Sequence, residues 1–315
     1  MKKIITIGEI LVEIMAVEPG LGFTAPIQLV GPFASGAPAI FIDQAAKLGQ
    51  PCGIVSAVGK DDFGTLNVER LRRDGVDVSA IGIHATAATG SAFVRYRPDG
   101  NRDFIYNIRH SACSAIGLTP EAERLIDGAD HLHIMGSALF FDGIVTAIFE
   151  ATARIKARGG TVSFDPNIRK EMLELPGMRE ALAHALDNTD LFMPSGQEIF
   201  LFTKAADEKA AVADLLDRGI KAVLVKRGAQ GASYFDRSGE TFVPAFKVQE
   251  VDPTGAGDSF GAAFVTCWLR GMEPRKALIV ANATGARAVS VKGPMEGTST
   301  MGEIEAFLNK LGVPA

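Results

Sequence analysis

Asp252-Pro253-Thr254-Gly255-Ala256-Gly257-Asp258-Ser259-Phe260 places a glycine-rich turn and a carboxylate directly ahead of an apolar, helix-forming run. Because glycine has no Cβ atom, the backbone N–H groups of this turn can converge on one anion, and the positive end of the helix dipole favours the same place. A carboxylate such as Asp258 is repelled there unless it has a chemical task, for example accepting a proton from an attacking hydroxyl. The turn therefore predicts phosphoryl chemistry. The competing interpretation is a tight turn in which Asp258 only caps the helix.

On either side of this turn, short apolar runs alternate with amphipathic stretches, which is typical of βα units. The predicted strands are 4–7, 53–57, 131–135, 161–164, 191–193 and 222–225. The predicted helices are 39–48, 63–74, 144–158, 178–187 and 209–218, and glycines follow several of them where a helix commonly ends. The pattern predicts an α/β fold with a doubly wound, mostly parallel sheet flanked by helices.

Two segments, 11–30 and 85–109, interrupt this alternation. In the second, Pro98-Asp99-Gly100-Asn101 separates two strand-like runs, and Asp-Gly in that setting signals a β-hairpin. We expect a core of residues 1–10, 31–84 and 110–315, with the two interruptions forming a small β lid over a cleft. A plain surface hairpin is the alternative that the pattern leaves open.

Charge and composition disfavour several classes of function. The net charge of −5 gives no basic footprint for nucleic acid, and three widely separated cysteines disfavour a disulfide framework or a zinc site. The first nine residues contain charges and a glycine where a signal peptide needs an apolar run, and no apolar stretch of about 18 residues occurs. We therefore expect a cytoplasmic protein with neither a nucleic-acid nor a membrane partner.

The nonapeptide 252–260 resembles the C-terminal signature of the PfkB or ribokinase-like family of carbohydrate kinases. Residues 35–40, 45–49 and 57–64 resemble the N-terminal signature of that family, and the resemblance extends over nearly the whole chain. It implies a ribokinase-like fold with a small β lid, with ATP and Mg²⁺ as cofactors. It also implies that Asp258 is the general base and that the amides of Gly255, Ala256, Gly257 and Asp258 form the anion hole for the transferred phosphoryl group.

The resemblance also implies a sugar-binding site, in which some residues differ from those usual in the family. The implied substrate-binding residues are Glu13, Ser35, Gly36, Arg109, Arg169 and Asp258. Family members usually have paired glycines followed by an Asn that holds a sugar hydroxyl, whereas here Ser35 replaces the first glycine and Ile40 replaces the Asn. Because Ile cannot form that hydrogen bond and a buried unpaired hydroxyl costs about 1–3 kcal/mol, another residue supplies the partner or the substrate lacks that group.

On the nucleotide side, the resemblance implies contacts from several strand ends and turns. The implied residues are Asn167, Lys226, Gly228, Gly231, Thr254, Gly255, Gly257 and Asn282. Glu198 is expected to hold Mg²⁺ through water, although Ser195 and Glu198 equally match a helix capping box. Asp252 is expected to lie beside a monovalent cation, K⁺.

These features lead to one main functional hypothesis and two alternatives. The main one is ATP-dependent phosphorylation of a primary hydroxyl of a small sugar, a ketohexose of the fructose or tagatose type. Within the same family, the alternative is 2-keto-3-deoxygluconate, whose carboxylate would meet Arg109 or Arg169. From another class, the alternative is a sugar-binding regulator without turnover, against which the intact Asp258 argues. A homodimer through the lid is also compatible with the resemblance.

Overall fold

The structure is a computed structural model that describes residues 1–20, 22–97, 102–168 and 173–313. Within these residues, the strands form two sheets. The strands are β1 (Ile4–Ile7), β2 (Leu11–Ala16), β3 (Leu29–Ser35), β4 (Cys52–Gly59), β5 (Ile81–His84), β6 (Gly90–Tyr96), β7 (Arg102–Asn107), β8 (His131–Met135), β9 (Thr161–Asp165), β10 (Leu191–Phe192), β11 (Ala222–Lys226), β12 (Ala232–Asp236) and β13 (Gly239–Val243).

The large sheet has nine strands in the order β13-β12-β11-β10-β9-β8-β1-β4-β5. Every neighbouring pair from β11 to β5 is parallel, while β12 and β13 add an antiparallel edge. The strands from β8 to β4 are buried along their length, which is why they form continuous apolar runs in the sequence. The predicted α/β architecture with a mostly parallel sheet is confirmed.

Helices cover both faces of this sheet. In the described residues they are α1 (Ala37–Lys47), α2 (Asp62–Asp74), α3 (Pro120–Asp127), α4 (Asp142–Ala157), α5 (Met178–Asp187), α6 (Glu208–Asp217), α7 (Ala256–Leu269), α8 (Pro274–Val289) and α9 (Met301–Lys310). Each of the five predicted helices is present. Nowhere in the described ranges does a helix combine the length and the apolar character that crossing a bilayer requires.

Strands β2, β3, β6 and β7 form a second, four-stranded sheet, called here the small sheet, in the order β3-β2-β6-β7. Strands β2 and β6 pair in parallel, and β6 and β7 pair antiparallel with Tyr96 opposite Arg102. The Asp-Gly turn expected between β6 and β7 lies in residues 98–101, outside the described residues. The division of the chain into a core and a lid stays a prediction.

Helix α7 is held rigidly in the core behind the glycine-rich turn. Its Phe264 is 1% exposed and Phe260 is 7% exposed, and the helix packs against α1 and α8. Burial of these aromatic rings fixes the position of the first helical turn, because a well-packed core resists displacement. The side chain of Asp258, in that first turn, is therefore presented at a defined place.

Candidate active site

A cavity of about 950 Å³ opens where the carboxyl ends of the parallel strands meet the small sheet. Its lining includes residues that follow β1, β8, β9 and β10, the last residue of β11, the first turn of α7, and residues of β2, β3 and β7. In open α/β sheets, ligands bind at this edge because the strand ends and helix N-termini converge there. The cavity is the candidate active site.

Asp258 lies on the floor of the cavity, half-buried. Its helix begins after Gly255, whose φ of 77° is in the left-handed region, and a Cβ on this glycine would lie 2.3 Å from the carbonyl oxygen of Pro294. Asn167, which follows β9 and also has a left-handed backbone (φ 41°), donates from Nδ2 to Asp258 Oδ1 at 3.4 Å. The turn, the helix end and the loop after β9 thus meet at this carboxylate.

Other charged groups surround Asp258. Glu9, Glu13, Asp165, Glu198 and Lys226 all line the cavity. Lys226 Nζ is mostly buried and forms an ion pair with Asp165 Oδ2, and although burial opposes the charged lysine, Asp165 and Glu198 raise its pKa. The site therefore holds one buried cation among several carboxylates.

This environment shifts the titration of the acids. Burial, followed by the charge of Asp165, raises the pKa of Asp258 to about 7, with Lys226 acting in the opposite direction. Burial and Asp165 also raise the pKa of Glu198. A carboxyl group with a pKa near neutrality is suited to exchange a proton with a substrate.

The residues expected to bind the sugar are partly brought together. Ser35 Oγ donates to Glu13 Oε1 at 2.6 Å, and both buried side chains line the cavity with Gly36. Ile40 lines it as well, so an apolar side chain does stand where the resemblance expects an amide. Arg109 is exposed and lines the same cavity. Arg169 lies outside the described residues.

Residues expected at the nucleotide are more dispersed. Asn167, Lys226, Thr254, Gly255 and Gly257 line the cavity. The other three expected residues do not line it: Gly228 and Gly231 form the turn between β11 and β12, and Asn282 Nδ2 donates to the carbonyl oxygens of Val243 and Pro244. Nucleotide contacts by these three stay predictions.

Both residues expected to hold ions accept backbone hydrogen bonds. Glu198 Oε2 accepts from the N–H of Ser195 at 2.6 Å, as in a capping box, and its Oε1 accepts from the N–H of Ile168 at 2.9 Å. Asp252 is 1% exposed and accepts from the N–H groups of Thr254 and Gly293. The carboxylates are thereby oriented, and their roles toward Mg²⁺ and a monovalent cation stay predictions.

Several residues in the cavity were missed by the sequence analysis. Glu9 and Asp165 stand at the ends of β1 and β9, and the rule that sites form at the carboxyl ends of parallel strands could have identified them. Arg102, Phe104 and Tyr106, every second residue of β7, line the cavity from the small sheet, as does Asp103 between them. The sequence shows which residues of a strand share a face, but which part of the strand meets the cavity depends on how the two sheets pack.

Comparisons with known proteins identify the family of this chain. The family model for pfkB family carbohydrate kinases matches residues 1–301. A 2-dehydro-3-deoxygluconokinase of Thermoproteus tenax is 34% identical, with 99% of this chain and 95% of that protein covered, and Fructokinase-1 of Zea mays is 31% identical, with 98% of each covered. An Escherichia coli protein provisionally named Ribokinase II is 49% identical, and the alignment covers 98% of this chain and 100% of that protein. Its structure without ligand matches with a TM-score of 0.94, and its complex with ATP and Mg²⁺ matches with a TM-score of 0.92. The chain belongs to the pfkB family of carbohydrate kinases.

Proposed function

We propose that this carbohydrate kinase transfers the γ-phosphoryl group of ATP to a primary hydroxyl of a small sugar, a ketohexose of the fructose or tagatose type. The observation that carries the proposal is the placement of Asp258 in the first turn of α7, half-buried on the floor of a cavity large enough for a sugar beside a triphosphate end. The similarity to fructokinases and to the E. coli protein solved with ATP and Mg²⁺ supports both substrates.

In the proposed reaction, the hydroxyl oxygen of the sugar attacks the γ-phosphorus of ATP while Asp258 accepts the hydroxyl proton. The bond between the γ-phosphorus and the bridging oxygen of the β-phosphate breaks, and ADP leaves. The N–H groups from Gly255 to Asp258 face the charge that builds on the phosphoryl oxygens, and their fixed orientation requires no rearrangement during the step. Glu13 and Ser35, which also line the cavity, would hold the sugar hydroxyls.

The carboxylates of the cavity fit a hard divalent cation. Asp165 Oδ1 is buried and accepts no hydrogen bond from the described residues, and Glu198 lies in the same cavity. Oxygen ligands of this kind suit Mg²⁺, which retains several waters. We propose that Asp165 holds Mg²⁺ together with Glu198, which acts through water. When bound, the ion would neutralise charge on the phosphates. We also propose that Asp252 lies near K⁺.

Other substrates and a function of another class compete with ketohexose phosphorylation. A sugar acid such as 2-keto-3-deoxygluconate is favoured by the 34% identical relative and by Arg109, a cation on the cavity wall that a carboxylate could reach. A regulator that binds sugar without turnover would keep the cavity but would not need Asp258. Ribose also belongs among the test substrates, since the 49% identical protein is named for it.

An ATP-consumption screen tests the proposal. Fructose, tagatose, 2-keto-3-deoxygluconate, ribose and adenosine are compared at equal concentration with Mg²⁺, in buffers with and without K⁺. We expect the highest kcat/KM with a ketohexose and higher activity with K⁺. A clear preference for the sugar acid would shift the substrate to that class, and binding of a sugar without ATP consumption would favour the regulator.

The pKa of Asp258 predicts how activity varies with pH. The base works only when deprotonated, so a pKa of about 7 predicts that kcat/KM for the sugar rises about tenfold per pH unit below 7 and levels off above it. The profile is measured between pH 5 and 9, with the folded fraction followed by circular dichroism in the same buffers. A flat profile from pH 5.5 to 8 would contradict a base with this pKa.

We further propose that the enzyme acts in the cytoplasm and forms a homodimer through the small sheet. For the dimer, the support is that Leu29 and Ile105 of this sheet are each more than 40% exposed, which leaves apolar surface on the strands at its two edges. Apolar edge strands of this kind are favourable places for association.

A further inference from the structure

The paired ends of β6 and β7 contact the segment that precedes the glycine-rich turn. The residues concerned are Tyr96 and Arg102, which lie opposite each other on the two strands. Tyr96 Oη donates to Asp252 Oδ1 at 2.6 Å, and Arg102 Nη1 donates to Thr254 Oγ1 at 2.6 Å. The two side chains therefore hold both ends of the tripeptide 252–254, which immediately precedes Gly255.

The carboxylate of Asp252 connects this contact to the rest of the turn. Besides Tyr96, Oδ1 accepts from the N–H of Thr254 at 2.9 Å, and Oδ2 accepts from the N–H of Gly293 at 2.9 Å. The next residue, Pro294, has its carbonyl oxygen against Gly255, with no room for a Cβ between them. One buried carboxylate thus joins the small sheet, the turn before α7 and the segment that packs on that turn.

The donor in this contact is the neutral hydroxyl of Tyr96, and the acceptor is the buried carboxylate of Asp252. Hydrogen bonds to a charged acceptor are stronger than those between neutral groups. A displacement of the small sheet would therefore displace the turn that Asp252 begins.

We propose that Tyr96 and Arg102 are positioning residues for phosphoryl transfer, because they make the geometry of the anion-binding turn depend on where the small sheet lies. Phe104 and Tyr106 lie on the same strand as Arg102 and line the cavity, so one strand both lines the cavity and contacts the turn. The coupling rests on the proposed function. If the coupling exists, loss of the contacts made by Tyr96 and Arg102 slows the chemical step more than it weakens substrate binding.

The kinetic test uses Tyr96→Phe, which removes one hydroxyl. We expect kcat to fall about tenfold, with KM for the sugar and for ATP within about twofold of the parent, and the double variant with Arg102→Met to fall about 100-fold. Tyr234→Phe is the matched control, since Tyr234 is buried in β12 and does not line the cavity. For Arg102→Met, the control is Arg95→Met, which removes an ion pair with Asp103 on the same hairpin.

A second measurement separates this proposal from the identity of the substrate. Amide hydrogen exchange of residues 254–257 is compared in the parent and the variants, without any ligand. Faster exchange in Tyr96→Phe than in Tyr234→Phe supports the coupling whether or not a sugar has been found. Unchanged exchange in this segment overturns it, as does a parental kcat in Tyr96→Phe or a fall in kcat explained wholly by a smaller folded fraction.

Discussion

Replacing Asp258 by Asn is expected to lower kcat by about 10²- to 10⁴-fold, the range that a positioned general base contributes. The amide has nearly the shape of the carboxyl group but cannot accept the hydroxyl proton, so the cavity and its contact with Asn167 are expected to persist. Steady-state kinetics give kcat, and calorimetry gives the affinity for ATP and for the sugar. We expect the affinities to stay within about threefold, because the lost interaction develops only in the transition state.

The stability of the same variant provides the control for folding. In the unfolded chain an Asp carboxyl loses its proton near pH 4, whereas Asp258 in the folded protein keeps it up to about pH 7. The folded state therefore binds more protons between these values, and stability falls as the pH rises through that window. The amide introduced by Asp258→Asn carries no such charge, so this variant is expected to be more stable than the parent at pH 8, on the order of 1–2 kcal/mol for a half-buried group, and closer to it at pH 5. Parental turnover in the Asn variant would remove Asp258 from the base position.

Replacing Gly255 by Ala is expected to cost both stability and activity. The backbone of Gly255 is left-handed, which costs a residue with a Cβ about 1–2 kcal/mol, and that Cβ would lie 2.3 Å from the carbonyl oxygen of Pro294. The turn or the facing segment must therefore move. We expect the free energy of unfolding to fall by about 2 kcal/mol or more and kcat/KM to fall at least about 100-fold, since misplacement by an ångström is enough for such a loss.

Urea unfolding and steady-state kinetics measure the two effects separately. Gly302→Ala is the matched control, because Gly302 lies in helix α9, a Cβ there meets no atom within 4 Å, and Ala is the better helix former. We expect the control to keep full activity and to be unchanged or up to about 1 kcal/mol more stable. If Gly255→Ala matched the control in both measurements, the tight packing of the turn would have no functional importance.

Much of the fold could be predicted because its determinants are local. Strands such as β8 and β9 are short apolar runs, and α2 begins at the capping Asp61 and ends at the left-handed Gly75, both of which are readable along the chain. Elements such as β5 and β13 were not predicted. They are an exposed edge strand and the outer strand of an antiparallel hairpin, so neither has the continuous apolar run of a buried parallel strand.

The candidate site was predictable to a lesser degree. The glycine-rich turn with Asp258 was recognisable because it is contiguous in sequence, and Glu13 and Ser35 were placed by resemblance to the family signature. Asp165 and Lys226 are 61 residues apart in the chain, and their ion pair arises only because β9 and β11 flank β10 in the sheet. A contact that arises from the order of the strands in the sheet leaves no signal in the sequence near either residue.

The amino-acid sequence by itself determined the alternation of strands and helices, the glycine-rich turn and the acid at the start of α7. Secondary-structure propensity, hydrophobic periodicity and the residue preferences of turns all act over a few residues. Only the tertiary structure decided the pKa of Asp258, the ion pair of Lys226 and the contact from Tyr96 to Asp252. These depend on burial and on distances between residues far apart in the chain. Hydrogen bonds require contact between donor and acceptor, and electrostatic shifts grow with burial and with proximity, so both appear only once the packed sheets have brought the partners together.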